Sequence, residues 1–408
     1  MLSHKFYRIL PPLVCLIACT AVNLLYFPRH PIFPDEQRFL ASAAKLAASG
    51  KFWVGSDRAW EMPGTALFFA PSVWLFGPIN AVIPIRLLQS LLLACQTGLV
   101  ALIAQRITRN NIAAFFGAAI VALYPFFLFY QGLLLSETLF NTLLLAGLAS
   151  LYQWRHRGGR IDGVFVLCCA CFAAATLTKA SLTVLPPLLV ALAAWTRDVT
   201  WRRAFAVLIA ASCLYALFLS PWWIRNELLL ARFVPFTTGS AQNLYLGNNP
   251  HNPEGGIDWS RDVEPDVASH LLAIPDEVTR QQAFSKAAVN YIEAHPVEVF
   301  RVAAKKFVRY WNVIPNAAEF GGWYAFVSAA TFGPIIVLAI VGLLRQRREW
   351  RTLMPLLTIV AYFTLLHTLT IASLRYRLPI EPILIVLAVE PLAVIAAWLH
   401  TRRTPSSG

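Results

Sequence analysis

Apolar runs of about spanning length recur along most of this chain, at 10–27, 81–105, 112–130, 133–153, 164–178, 182–195, 204–222, 323–344, 353–372 and 378–399, of which 164–178 and 182–195 are short. A helix needs about 20 apolar residues to traverse the hydrocarbon core, so these runs constrain the fold more than any other feature. The chain is 58% hydrophobic and only 13% charged, which excludes an ordinary soluble domain. The expected fold is an all-α polytopic membrane protein with about ten transmembrane helices and interfacial helices in two exterior loops.

The basic head His4-Lys5-Phe6-Tyr7-Arg8 in front of the first run reads as a retained signal anchor with a cytoplasmic N-terminus. The apolar run 65–76 is interrupted by Pro71 and closed by Gly77-Pro78. It is too short to span and suits an interfacial or re-entrant helix. Leaving it out of the count puts the basic clusters Arg106/Arg109, Arg155/Arg157/Arg160, Arg197/Arg202/Arg203, Arg345/Arg347/Arg348/Arg351 and Arg402/Arg403 on one side of the membrane. That is the cytoplasmic side by the positive-inside rule. The formal charge of +13 therefore reports topology, not nucleic-acid binding. One membrane domain over 1–400 and a cytoplasmic tail at 401–408 follow, with the polar segments 28–80 and 225–322 outside.

All seven cysteines lie within apolar runs, so Cys168-Cys169-Ala170-Cys171 reads as small packing residues. Segment 35–49 has helical apolar spacing and begins at Asp35. Segment 296–311 places Phe300, Ala303, Phe307 and Trp311 on one stripe, with Arg301, Lys305, Lys306 and Arg309 elsewhere. This describes an amphipathic helix on anionic headgroups or at a lipid-phosphate entrance. The stretch 243–256, rich in Asn, Gly and Pro, predicts ordered tight turns.

Charges near membrane depth need a reason, since each costs roughly 2.5 to 3.5 kcal/mol on insertion scales. Carboxylates Asp35, Glu36, Glu61 and Glu137 face cations Arg38, Arg86, Lys179, Arg225, Arg375 and Arg377, all near the outer boundary. A reaction on an anionic lipid headgroup requires such a set: a base for the acceptor and cations for the phosphate. Glu390, near the middle of the last run, is expected to be protonated or paired within the bundle, and His367 to be a packed polar residue.

Asp35-Glu36-Gln37-Arg38-Phe39 resembles the Asp-Glu-x-Arg-aromatic motif of bacterial polyprenyl-phosphate-dependent glycosyltransferases of the GT-C superfamily, such as protein O-mannosyltransferases and the lipid A aminoarabinose transferase. Glu61-Met62-Pro63 resembles their Glu-x-Pro element, with Met62 where some members have lysine. Leu135-Ser136-Glu137-Thr138-Leu139, Thr178-Lys179, Pro221-Trp222-Trp223-Ile224-Arg225-Asn226, segment 243–250 and Arg375-Tyr376-Arg377-Leu378-Pro379-Ile380 also resemble family segments, in the family's order.

The resemblance implies an inverting sugar transfer from a polyprenyl-phosphate donor to a lipid, protein or glycan acceptor at the outer face of the bacterial inner membrane. Asp35 is then the base, with Glu137 and Glu61 as further catalytic carboxylates. Lys179, Arg375 and Arg377, with Arg86 and Arg225, hold the phosphate, Arg38 contacts substrate, and Glu36 is structural or a substrate contact. Asp35, Glu61 and Glu137 are the candidate ligands for a divalent cation, which takes oxygen donors. The rival reading is a transporter or flippase for an anionic lipid.

Overall fold

The computed structural model describes residues 4–183, 185–196, 200–314 and 322–403; Arg197 and residues 404–408 of the tail lie outside them. The long regular elements of the described chain are α-helices: α1 (His4–Leu25), α2 (Pro34–Ser49), α3 (Gly64–Asn80), α4 (Val82–Thr108), α5 (Asn111–Leu123), α6 (Pro125–Gly132), α7 (Glu137–His156), α8 (Gly163–Thr178), α9 (Leu185–Trp195) and α10 (Trp201–Leu230). Then come α11 (Ser240–Gly247), α12 (Pro265–Leu272), α13 (Glu277–Ala294), α14 (Pro296–Trp311), α15 (Gly322–Arg345), α16 (Trp350–Leu369), α17 (Leu374–Arg377) and α18 (Glu381–Arg403).

By length and composition, five described helical stretches qualify as membrane spans: α4, α10, α15, Arg347–Leu369 and Glu381–Leu399. The pair α5–α6, bent by 48°, makes a sixth if read as one span, and Ile9–Leu25, α8 and α9 are shorter apolar helices. The bend falls at Pro125, whose ring cannot continue the preceding helix. Residues 133–136 are not helical, so the run read as beginning at 133 becomes a helix only at Glu137. Run 65–76 lies within α3, which packs on α2 and α4 and is kinked at Gly77, where φ is +75°.

Local chemistry accounts for several helix starts. The Asn110 side chain accepts from Ile112 N and Ala113 N at the head of α5, and Asp162 does the same for Val164 N and Phe165 N at α8. Glu390 pairs with Arg345 at the end of α15, at 2.9 Å, which supplies the partner the sequence reading lacked.

The polar segment after α10 departs from the sequence reading. Residues expected as turns at 243–247 form the end of α11, and α12 and α13 were not foreseen. Tyr245 and Phe284 give α11 and α13 a small apolar core of their own. In α14 the buried side chains are Val302, Lys306 and Tyr310, so the protein-facing stripe includes a lysine. Phe300 and Val308 are exposed on the other side.

Glu36 anchors the first loop. Its carboxylate is fully buried and accepts from Ile32 N (2.9 Å), Phe33 N (2.9 Å) and Leu134 N (2.9 Å). Each bond has a carboxylate acceptor, and the fully buried Leu134 amide loses its partner once it is gone. Glu36→Ala is expected to cost about 3 kcal/mol, read as a lower unfolding midpoint of the purified protein; an unchanged midpoint would remove this role.

Candidate active site

Six of the singled-out side chains form one continuous ladder of alternating charge. Arg38 Nε donates to Glu61 Oε2 (3.3 Å) and Arg38 Nη1 to Asp35 Oδ1 (2.7 Å). Arg375 Nη1 donates to Asp35 Oδ2 (2.5 Å) and its Nε to Glu137 Oε1 (2.6 Å), where Lys179 Nζ also donates (2.9 Å). The residues come from five places: the first turn of α2, the loop before α3, the start of α7, the end of α8, and α17. Three carboxylates and three cations balance, which is how such charges persist in a largely buried setting.

Exposure varies along the ladder. Glu137 has 2% of its side chain exposed, Glu61 15%, Lys179 20%, Arg375 24%, Asp35 33% and Arg38 37%, so Asp35 and Arg38 are its most open members. Burial would raise the Asp35 carboxyl, but Arg375 and then Arg38 hold it below its ordinary value. Arg375 is driven the other way: burial opposes its charge, yet Glu137 and Asp35 lift it well above its usual range.

Glu61 behaves differently. Burial pushes its carboxyl up to about 7 against the pull of Arg38, and its Oε1 is buried without a hydrogen-bond partner. A raised carboxyl stabilises the fold fully below its unfolded value, and that contribution fades as pH rises through about 7. The window for this loss is therefore pH 4.5 to about 7. Glu61→Gln is expected to flatten the fall of the thermal midpoint over that window, and parallel curves for the two proteins would contradict it.

The other candidates lie elsewhere. Arg86 donates to Gly132 O (2.7 Å) and Pro28 O (2.5 Å), and Arg225 to Phe52 O (2.5 Å) and Arg58 O (2.7 Å). Arg377 is fully buried, bonded to Glu381 (2.6 Å) and Asn312 O (2.7 Å), with its guanidinium 3.3 Å from the Phe332 ring centroid. These three arginines fasten loops to helices, and all three carry the residue type and sequence neighbourhood of a phosphate ligand. His367 is packed, as expected, between the rings of Tyr310 and Tyr376, at 5.7 and 4.8 Å.

The proposed cation ligands do not fit a divalent metal. Among the described residues no three His, Cys, Asp or Glu side chains converge. In the ladder a guanidinium stands between each carboxylate and the next, so the oxygens cannot meet at one ion without displacing Arg38 and Arg375.

Two openings adjoin the ladder. A cavity of about 610 Å³ is lined by Arg301, Lys305 and Arg309 of α14 and by Arg375. A second, of about 390 Å³, is walled by apolar and aromatic side chains including Val22, Phe126, Phe129 and Trp323. Tyr130 and Leu374 line both. The α14 cations were visible as a possible lipid-phosphate entrance; Tyr130 gave no signal, being one aromatic in an aromatic-rich run.

No protein-family model matches the chain and no curated protein matches it. Solved structures do. Archaeal oligosaccharyltransferase AglB from Archaeoglobus fulgidus, in complex with an inhibitory peptide and a dolichol-phosphate, aligns over 99% of this chain at 12% identity and a TM-score of 0.59. The apo form of the A. fulgidus oligosaccharyltransferase aligns over 98%, at 11% identity and a TM-score of 0.60. The chain shares its fold with these oligosaccharyltransferase structures. The chain spans about half the length of those enzymes, 52% in both comparisons. ArnT from Cupriavidus metallidurans, bound to undecaprenyl phosphate, aligns over 97% of this chain and 79% of its own, at 16% identity and a TM-score of 0.47. With five described helices long and apolar enough to cross a bilayer, this is a multi-pass membrane protein.

Proposed function

We propose that this protein is an inverting glycosyltransferase that moves a sugar from a polyprenyl-phosphate donor to an envelope acceptor at the outer face of the inner membrane. The observation that carries the reading is the meeting of a basic cavity and an apolar groove at Tyr130 and Leu374, beside the Arg375 that bonds Asp35. A lipid phosphate has the two halves those openings suit. A dolichol-phosphate accompanies the AglB structure that shares this fold.

In this scheme the donor phosphate binds to Arg375 and Lys179 and competes with Asp35 for the Arg375 guanidinium. Loss of that partner raises the basicity of Asp35, so the base becomes effective only when donor is present. The acceptor nucleophile attacks the anomeric carbon, its proton passes to Asp35, and the carbon–oxygen bond to phosphate breaks. Polyprenyl phosphate leaves with the bonding electrons, stabilised by the two cations. A phosphate leaving group needs no paired general acid.

The test is reconstitution in liposomes with a polyprenyl-phosphate sugar and cell-envelope acceptors. Release of free polyprenyl phosphate with a new glycosidic bond supports the transferase. Movement of the lipid across the bilayer with no bond formed would replace it with the flippase reading.

A further inference from the structure

Lys306 is fully buried on the protein-facing side of α14. Among the described residues its ammonium meets only uncharged oxygens: the carbonyls of Thr370 (2.9 Å), Gly247 (3.1 Å) and Leu369 (3.4 Å), and the Asn248 amide oxygen (3.4 Å). Gly247 ends α11 and Leu369 ends α16. The two helices thus direct their C-terminal carbonyls and negative dipole ends at one cation. Burial lowers the amine to about 8, which leaves it mainly charged at neutral pH.

The turn that Lys306 holds leads directly into α17 and Arg375. It is gripped from several sides: Asn248 Nδ2 donates to Leu369 O (2.9 Å), and His367 Nδ1 lies 3.1 Å from Ile371 O. A Cβ on Gly247 would collide with the Thr370 carbonyl. Further along, Tyr310 Oη donates to Tyr376 O (3.5 Å) and Arg377 Nη1 to the carbonyl of Asn312, the residue that closes α14 (2.7 Å). Helix α14 therefore holds segment 369–377 at three points, and the same helix lines the cavity in front of Arg375.

We infer that Lys306 is a positioning residue: its ammonium, shared by two helix C-termini, fixes the turn at 369–373 and so aims Arg375 at Asp35 and Glu137. The ligand arm of the test rests on the donor reading above, whereas the positioning itself is a property of the protein alone.

Lys306→Met removes the charge at similar chain length, Lys306→Arg keeps it, and Gly247→Ala pushes on the same turn from the other side. In hydrogen–deuterium exchange on the full chain, Lys306→Met and Gly247→Ala are expected to speed exchange over 370–377 about tenfold while 34–49 stays unchanged, with Lys306→Arg near wild type. Binding of a polyprenyl monophosphate is expected to weaken about tenfold in Lys306→Met, with no further loss when that change is added to Arg375→Lys. Unchanged exchange at 370–377, or a uniform rise across all helices, would overturn the inference, as would independent losses that multiply. A wild-type protein that binds no polyprenyl phosphate would sink the donor reading and leave the exchange experiment to decide this one.

Discussion

Asp35→Asn is expected to lower sugar transfer by about 10²- to 10⁴-fold, the range a positioned general base supplies, while donor binding changes little. Asparagine keeps the size and one acceptor oxygen, so Arg38 retains a partner at the most open part of the ladder, where Asp35 is one-third exposed. What disappears is the proton acceptor. The variant also leaves Arg375 with Glu137 as its only carboxylate, which frees the guanidinium for phosphate. Donor affinity should therefore hold or rise as turnover collapses. Initial rates and polyprenyl-phosphate binding on the same purified sample separate these effects, and turnover within tenfold of wild type would end the assignment of Asp35 as base.

The second large effect belongs to Arg375. Its Nε and Nη1 serve different carboxylates at 2.6 and 2.5 Å, a fork that the single ammonium of lysine cannot reproduce. Arg375→Lys is expected to reduce transfer by about 10²-fold, comparable to losing one donor to a developing oxyanion, and to weaken donor binding as well. Arg375→Met leaves buried Glu137 with Lys179 as its remaining cation and is expected to cost about 3 kcal/mol, visible as a lower unfolding midpoint. Arg375→Lys with wild-type turnover would show that charge alone suffices at this position.

The all-helical membrane class and the charges of the ladder were legible in the chain, whereas about ten spans were expected and five described helices, or six with the bent pair, are long and apolar enough. The sequence pattern of α14 placed its bounds at 296–311, as observed, because an amphipathic period over 16 residues is a local property. Asp35, Arg38, Glu61, Glu137, Lys179 and Arg375 were all singled out as charges that a membrane boundary should not tolerate, and they meet in one ladder. Arg86, Arg225 and Arg377 satisfied the same criterion and do not join it. A guanidinium satisfied by backbone carbonyls and one that faces a ligand look alike in sequence. The helices α11 to α13 were missed because their apolar positions are few and their packing is mutual, as between Tyr245 and Phe284.

What the chain determined by itself is therefore what free energy of transfer into lipid dictates residue by residue: which stretches are apolar helices, and which charges are costly enough to need partners. Which partner each charge found was decided only by tertiary structure. Arg375 and Asp35 are 340 positions apart, and Lys306 meets carbonyls 58 to 64 positions away in two different segments. A hydrogen bond is set by distances of about 3 Å, and no local pattern encodes which helix ends will converge to that separation.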